Sequence, residues 1–201
     1  MGLLYDKRIL MTKSTKTEKV FEGLFAPLTF EQVEYNNPQD YVYKFWKRYQ
    51  ERSDKNNSLN GKIWECIIIS LLYREGLLPF YTQAKVAFVP NVEFDVLLYT
   101  PERPISLSLK TSLRERYKQA DLEAIALHYV HRRAKCYLLT LDPAEAAQCK
   151  AKIKSGDIIG IEKVIDCNTS DINDLIEELQ TIKDELTVSQ KIEVIEGNLI
   201  Q

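Results

Sequence analysis

The sequence predicts an α/β protein in which helices cover the faces of a central mixed sheet. Apolar residues recur at helical spacing in several separate segments, and between them stand short β-branched or alternating runs punctuated by proline. The segments follow one another as helix, strand meander, then alternating helix and strand, an order that closes a mixed sheet.

The first twenty residues are polar and rich in Lys and Thr, which predicts a loose arm over residues 1–20. Pro38 to Tyr49 predicts an aromatic-rich helix, and the Ser-, Asp- and Asn-dense stretch from Arg52 to Asn60 a loop. A second helix is expected from Leu59 to Glu75, stopped by Gly76 and Pro79. Lys85–Val89, Glu93–Tyr99 and Ile105–Lys110 read as strands, broken by Pro90, Pro101 and Pro104. Leu113, Tyr117, Ala120, Ala124 and Leu127 form one apolar stripe and predict a helix from Leu113 to Arg132. Beyond it come a strand at Cys136–Leu141, a helix at Ala144–Lys154, a strand at Ile158–Ile165 and a helix from Asp171 to Leu186. A single domain over residues 1–201 follows from the length of 201 residues, with a core at residues 59–165 and an acidic C-terminal helix and tail at 166–201.

The apolar fraction of 45% and charged fraction of 28% are those of a globular chain, excluding a disordered or disulfide-stapled class. No apolar stretch approaches the ~20 residues of a membrane span. The start, Met1-Gly2-Leu3-Leu4-Tyr5-Asp6, lacks the basic and apolar regions of a secretion signal, so a cytoplasmic address is expected. Four dispersed cysteines and the pair His128 and His131 do not give a structural zinc spacing, and the two histidines are assigned no role. The net charge is 27 minus 29, or minus 2. It is unevenly spread: Arg103 to Lys135 holds eight bases against three acids, while Gly156 to the end holds eleven acids against three lysines. A basic middle on an acidic body suits a single nucleic-acid face, although solvated helix faces give similar counts.

Asp95 sits in the otherwise apolar run Glu93–Tyr99, where an unpaired charge costs several kcal/mol. On the next strand Ser106, Ser108 and Lys110 share one face. A turn centred on Glu102 and Arg103 would set Asp95 opposite Lys110. Glu123, at the edge of the helical stripe, brings a second carboxylate toward the first. Two acids at one partly buried site repel unless a cation holds both ionised, and oxygen ligands with room for water suit Mg²⁺. Such an ion with a lysine beside it fits phosphodiester hydrolysis.

Asp95, Ser108-Leu109-Lys110 and Glu123 resemble the PD-(D/E)xK nuclease core in its migrated form, with Ser before the x-Lys and the second acid on the following helix. Lys110-Thr111-Ser112-Leu113-Arg114-Glu115-Arg116 is similar to the recognition segment of the EcoRII, SsoII and PspGI group of type II restriction endonucleases. These read CCGG-type sites, including CCNGG and CCWGG. The likeness covers Glu65 to Glu123, with Phe94 in place of the usual Pro. It implies a restriction-endonuclease-like core in which Asp95 and Glu123 hold Mg²⁺, Lys110 assists the nucleophile and Glu65 supports the site. Glu65 also fits a plain helix-edge acid.

Arg114 and Arg116 suit bidentate bonds to guanine, and Glu115 suits cytosine amino groups. A capping box from Ser112 to Glu115 would account for Glu115 but for neither arginine. Members of the group that flip a central base use aromatic pockets, for which Trp46 or a neighbouring Tyr is the candidate; an aromatic stripe at helical spacing also serves as core. The expected partners are double-stranded DNA, a second copy in a homodimer, and a companion DNA methyltransferase in the cell. The rivals are another nuclease on the same core and a non-catalytic DNA-binding module.

Overall fold

The computed structural model describes residues 3–9, 15–189 and 193–201. Its elements are α1 (Leu3–Asp6), α2 (Lys16–Gly23), α3 (Pro38–Gln50), α4 (Asn57–Arg74), β1 (Phe80–Val86), β2 (Phe94–Leu98), β3 (Ile105–Lys110), α5 (Arg116–Val130), β4 (Lys135–Thr140), α6 (Pro143–Ser155), β5 (Lys163–Asp166), α7 (Asp171–Gln180), a 3-10 turn at Lys183–Glu185 and β6 (Val194–Ile200). Local chemistry sets most of the boundaries. Asn37 and Asn56 cap α3 and α4 through their side chains, and Pro38 occupies the first turn of α3. Asp142 and Pro143 do the same for α6. Gly76, with φ +66°, ends α4 because a left-handed residue there turns the chain at little steric cost.

Six strands form one sheet in the order β5-β4-β3-β2-β1-β6. β6, β1, β2 and β3 run antiparallel in turn, whereas β3, β4 and β5 are parallel, with α5 and α6 as their crossovers. Alternation along the strands divides the core. Leu107 and Leu109 of β3, with Tyr137 and Leu139 of β4, join the apolar faces of α2, α3, α4 and α7. Cys136 and Leu138 of β4 face the other way, toward Ala120, Ala124 and Leu127 of α5 and Ala146 and Cys149 of α6. The expected α/β class and helix-covered mixed sheet are therefore present.

Besides shifted bounds, such as β1 at Phe80–Val86 where the sequence predicts a strand at Lys85–Val89, three expectations need correction. The predicted loose arm is structured where described: Thr15 caps α2, and Leu4, Ile9, Val20 and Phe21 are buried. Its few apolar residues are sufficient because they meet an aromatic nest, Phe21 lying 4.9 Å from Phe25 and Phe25 4.0 Å from Phe45 between ring centroids. Residues 1, 2 and 10–14 of that arm lie outside the described residues. The acidic tail ends in a strand: β6 pairs with β1, and as an outer strand it shows no clean alternation of burial. The strand expected from Ile158 is confined to β5, since the Asp121 carboxylate accepts the N–H groups of Ile159, Gly160 and Ile161 at 3.2, 2.7 and 3.2 Å. Those donors are taken before they can join the sheet.

Candidate active site

β2 and β3 are joined by a turn that decides which side chains meet. Pro101 takes the second position of Thr100-Pro101-Glu102-Arg103, where its fixed φ is favourable, and Thr100 Oγ1 accepts the Arg103 N–H at 3.1 Å. The pairing Leu98 with Ile105 and Val96 with Leu107 centres the hairpin between Pro101 and Glu102. Continued by one residue, this register sets Asp95 level with Ser108, not with Lys110 as the sequence suggested. The pair nevertheless forms. Lys110 is the diagonal neighbour, its chain is long enough to cross back, and Nζ donates to Asp95 Oδ2 at 2.8 Å. The Leu109 N–H donates to the same oxygen at 2.7 Å. The two side chains are 16% and 17% exposed, so the charges are shielded from bulk water yet open at one end.

Asp95, Ser108 and Glu123 line a common small pocket of about 10 Å³ between the sheet and α5, with Ala120, Ala124 and Cys136 among its walls. That volume suits a single water-sized occupant. Glu123 Oε1 accepts from Gln119 Nε2 at 2.7 Å. Burial raises the Glu123 carboxyl above the ordinary range and the charge of Asp95 adds to this; the Gln119 bond and Lys110 oppose it. Ser108 Oγ is buried without a hydrogen-bond partner among the described residues. Both bonds to Asp95 end on Oδ2, so Asp95 Oδ1 has no hydrogen-bond partner among the described residues. An orphaned hydroxyl, a spare carboxylate oxygen and a second carboxylate give an all-oxygen donor set of the kind a hard cation prefers. Among the described residues, no three or more His, Cys, Asp or Glu side chains gather into a metal-holding group. A cation here would thus rely on two acids and solvent.

Glu65 approaches from α4, on the opposite face of the sheet from α5. Burial, then the negative charge of Asp95, push its carboxyl up to about 7, against the pull of Lys110 and Lys62. It lines a cavity of about 290 Å³ together with Lys62, Thr82, Gln83 and Asn198. Glu65 and Glu123 therefore flank the Asp95–Lys110 pair electrostatically from two sides while lining different cavities.

Beyond Lys110 the chain turns sharply before α5. Arg114 has φ +41°, and Arg114, Glu115 and Arg116 are all exposed. The helix starts at Arg116, three residues later than the stripe predicted, and Glu115 makes no capping bond. Instead the Glu145 carboxylate, reaching from the first turn of α6, accepts both the Leu113 N–H and the Arg114 N–H, the latter at 2.8 Å. Glu115 pairs with Lys118. Lys152 of α6 donates to Tyr117 Oη and lies 4.4 Å from the centre of that ring. Arg114, Arg116 and Lys118 thus lie in one stretch at the start of α5, to which Lys152 of α6 is tied through Tyr117.

Trp46 does not join this site. Its ring packs at 5.2 Å from Tyr49 and 6.0 Å from Trp64 along the seam between α3 and α4, so the structure uses it as core edge. His128 Nε2 bonds to the Gly160 carbonyl oxygen at 2.9 Å. Sequence reasoning missed Glu145, because its link to Leu113 spans 32 residues and leaves no local signal. It placed Ser108 in the motif and on the face of Lys110 but gave that hydroxyl no role of its own.

Compared with protein families, curated proteins and solved structures, the chain matches none of them. No helix among the described residues is long and apolar enough to cross a membrane.

Proposed function

We propose that the chain is a Mg²⁺-dependent type II restriction endonuclease that makes double-strand breaks at a short CCGG-type palindrome, with CCNGG or CCWGG favoured. The observation that carries this reading is the joining of two unlike sites by one short turn. A shielded Asp95–Lys110 pair with Glu123 on the same pocket lies at the end of β3, and the exposed Arg114-Glu115-Arg116 triplet begins four residues beyond Lys110.

In this reading Asp95 and Glu123 would hold Mg²⁺, and the chemistry such an ion would supply is polarisation of a phosphate oxygen and acidification of water. Lys110 holds the Asp95 carboxylate in place and offers positive charge to the phosphate as it gains negative charge. Ser108 Oγ offers a further oxygen to whatever occupies the pocket. Glu65, with its carboxyl near neutrality, supports the site as an acid able to exchange a proton at working pH. Arg114 and Arg116 bond to guanines in the major groove and Glu115 to cytosine amino groups. Lys118 and Lys152 contact phosphates without reading sequence. A palindrome is matched by a homodimer, and a companion methyltransferase would protect the host's own sites.

Plasmid DNA incubated with the protein and Mg²⁺ tests the proposal. Discrete fragments whose sequenced ends share one CCGG-type site support it, and intact plasmid across a Mg²⁺ and Mn²⁺ series sinks it. A second reading, a DNA-binding module without catalysis, is favoured by one observation: Asp95 is already satisfied by Lys110 and Leu109, as in a purely structural ion pair. Sequence-selective binding with no cleavage and no Mn²⁺ binding at Asp95 would select it.

A further inference from the structure

We infer that Glu145 is the positioning residue for DNA reading: its carboxylate clamps the turn that presents Arg114, and so sets sequence discrimination without touching DNA. The inference rests on the reading of Arg114-Glu115-Arg116 as base-contacting residues and adds a residue to that site.

Leu113 is fully buried and Arg114 exposed, so the chain passes from core to solvent within one peptide unit. At that crossing Arg114 adopts φ +41°, a conformation disfavoured for a residue with a Cβ. Two successive backbone N–H groups, of Leu113 and Arg114, point the same way and end on the two oxygens of Glu145. Charge-assisted bonds of this kind are about twice as strong as neutral ones, and a pair on one carboxylate fixes orientation as well as distance. The clamp is itself anchored: the Glu145 N–H donates to Asp142 Oδ1 at 3.0 Å, and the Asp142 N–H to Thr140 Oγ1 at 3.2 Å. Thr140 lies at the end of β4, level with Lys110 at the end of β3. The arginine turn is therefore tied to the sheet at the height of the Asp95–Lys110 pair. An arginine fork reads guanine only when its backbone is held in register, since bidentate geometry tolerates little displacement.

Binding of a CCNGG duplex, the same duplex with one G·C pair changed, and a random duplex is measured in Ca²⁺ for wild type, Glu145→Ala and Glu145→Gln. Loss of two charge-assisted bonds predicts that the alanine variant loses about tenfold or more of the preference for the correct duplex, with affinity for random DNA held. Glutamine, which keeps one acceptor oxygen, should fall between. Amide hydrogen exchange at Leu113 and Arg114 should quicken in Glu145→Ala by at least about tenfold, with exchange in β3 and β4 unchanged. Full discrimination in Glu145→Ala, or unchanged exchange at both amides, overturns the clamp. Absence of any preference in the wild type overturns the underlying assignment of the arginines, and the role of Glu145 with it.

Discussion

Lys110 Nζ and Asp95 Oδ2 lie 2.8 Å apart although the two residues are not opposite each other in the sheet. The bond runs diagonally, so the lysine chain reaches back toward the level of Ser108, which shares a pocket with Asp95 and Glu123. Charge, hydroxyl and second acid thus meet on the α5 face of the sheet, beside a pocket walled by Ser106, Leu107 and Ser108 of β3 and by Cys136 and Tyr137 near the start of β4.

Removing either member of that pair should stop the chemistry before it stops folding. Asp95→Asn and Lys110→Ala are expected to lower the rate of plasmid cleavage by at least about a hundredfold. Thermal melting should remain cooperative, and binding of the intact site in Ca²⁺ should persist. Cleavage at the wild-type rate by Asp95→Asn would exclude the assignment.

The four cations near α5 should divide by role. Arg114→Ala is expected to cost ~1 to 3 kcal/mol per contact for the duplex with the correct G, doubled in a symmetric dimer, and little for random DNA. Lys152→Ala, whose ammonium is held at the Tyr117 ring, should weaken all duplexes alike and lower the salt slope of binding by about 1. Titrations at several salt concentrations distinguish the two. Equal losses on all DNA for Arg114→Ala would make it a phosphate contact.

Glu65 gives the protein a pH dependence of stability with a definite sign. Its carboxyl is pushed up to about 7 by burial and by Asp95, from an ordinary value of 4.5. The folded chain thus binds this proton more tightly than the unfolded chain, so its contribution is complete below about 4.5 and is lost as pH rises through about 7. Glu65→Gln should therefore raise stability at pH 8 by about 1 to 3 kcal/mol relative to wild type, and change it little at pH 4. Urea unfolding in the presence of EDTA at both pH values measures this; an equal effect at the two would refute it.

Two glycines should respond oppositely to alanine. A Cβ at Gly160 would stand 2.6 Å from the Asp121 carbonyl oxygen and 2.7 Å from the Ile125 nitrogen, both backbone atoms of α5. Gly160→Ala must force that helix and the segment before β5 apart and should destabilise by about 1 to 3 kcal/mol. At Gly61, inside α4, nothing lies within 4 Å of such an atom, and Gly61→Ala should stabilise by about 0.5 to 1 kcal/mol through reduced chain entropy. Denaturation midpoints of the two variants check both signs.

What the sequence by itself determined is what local forces decide. The period-two run Ile105–Lys110 is a strand with the predicted bounds, and the caps Asn37-Pro38 and Asp142-Pro143 start α3 and α6 within a residue of expectation. The residues of interest, Asp95, Lys110, Glu123 and the arginine triplet, were likewise legible, because an acid in an apolar strand and a charged triplet after a lysine are unusual at short range.

Only the tertiary structure decided how these parts meet. The β2–β3 register followed from Pro101 and Thr100 in the turn, and a shift of two residues keeps every side chain on its own face, so the apolar pattern could not discriminate between the alternatives. The start of α5 was delayed by Glu145, and the strand before β5 was pre-empted by Asp121, each acting from more than thirty residues away. β6 escaped recognition because an outer strand with one open side needs no alternation, and Trp46 became packing because Trp64 lies across the α3–α4 seam. Such contacts arise from chain segments brought together by folding, and no short window of residues encodes them.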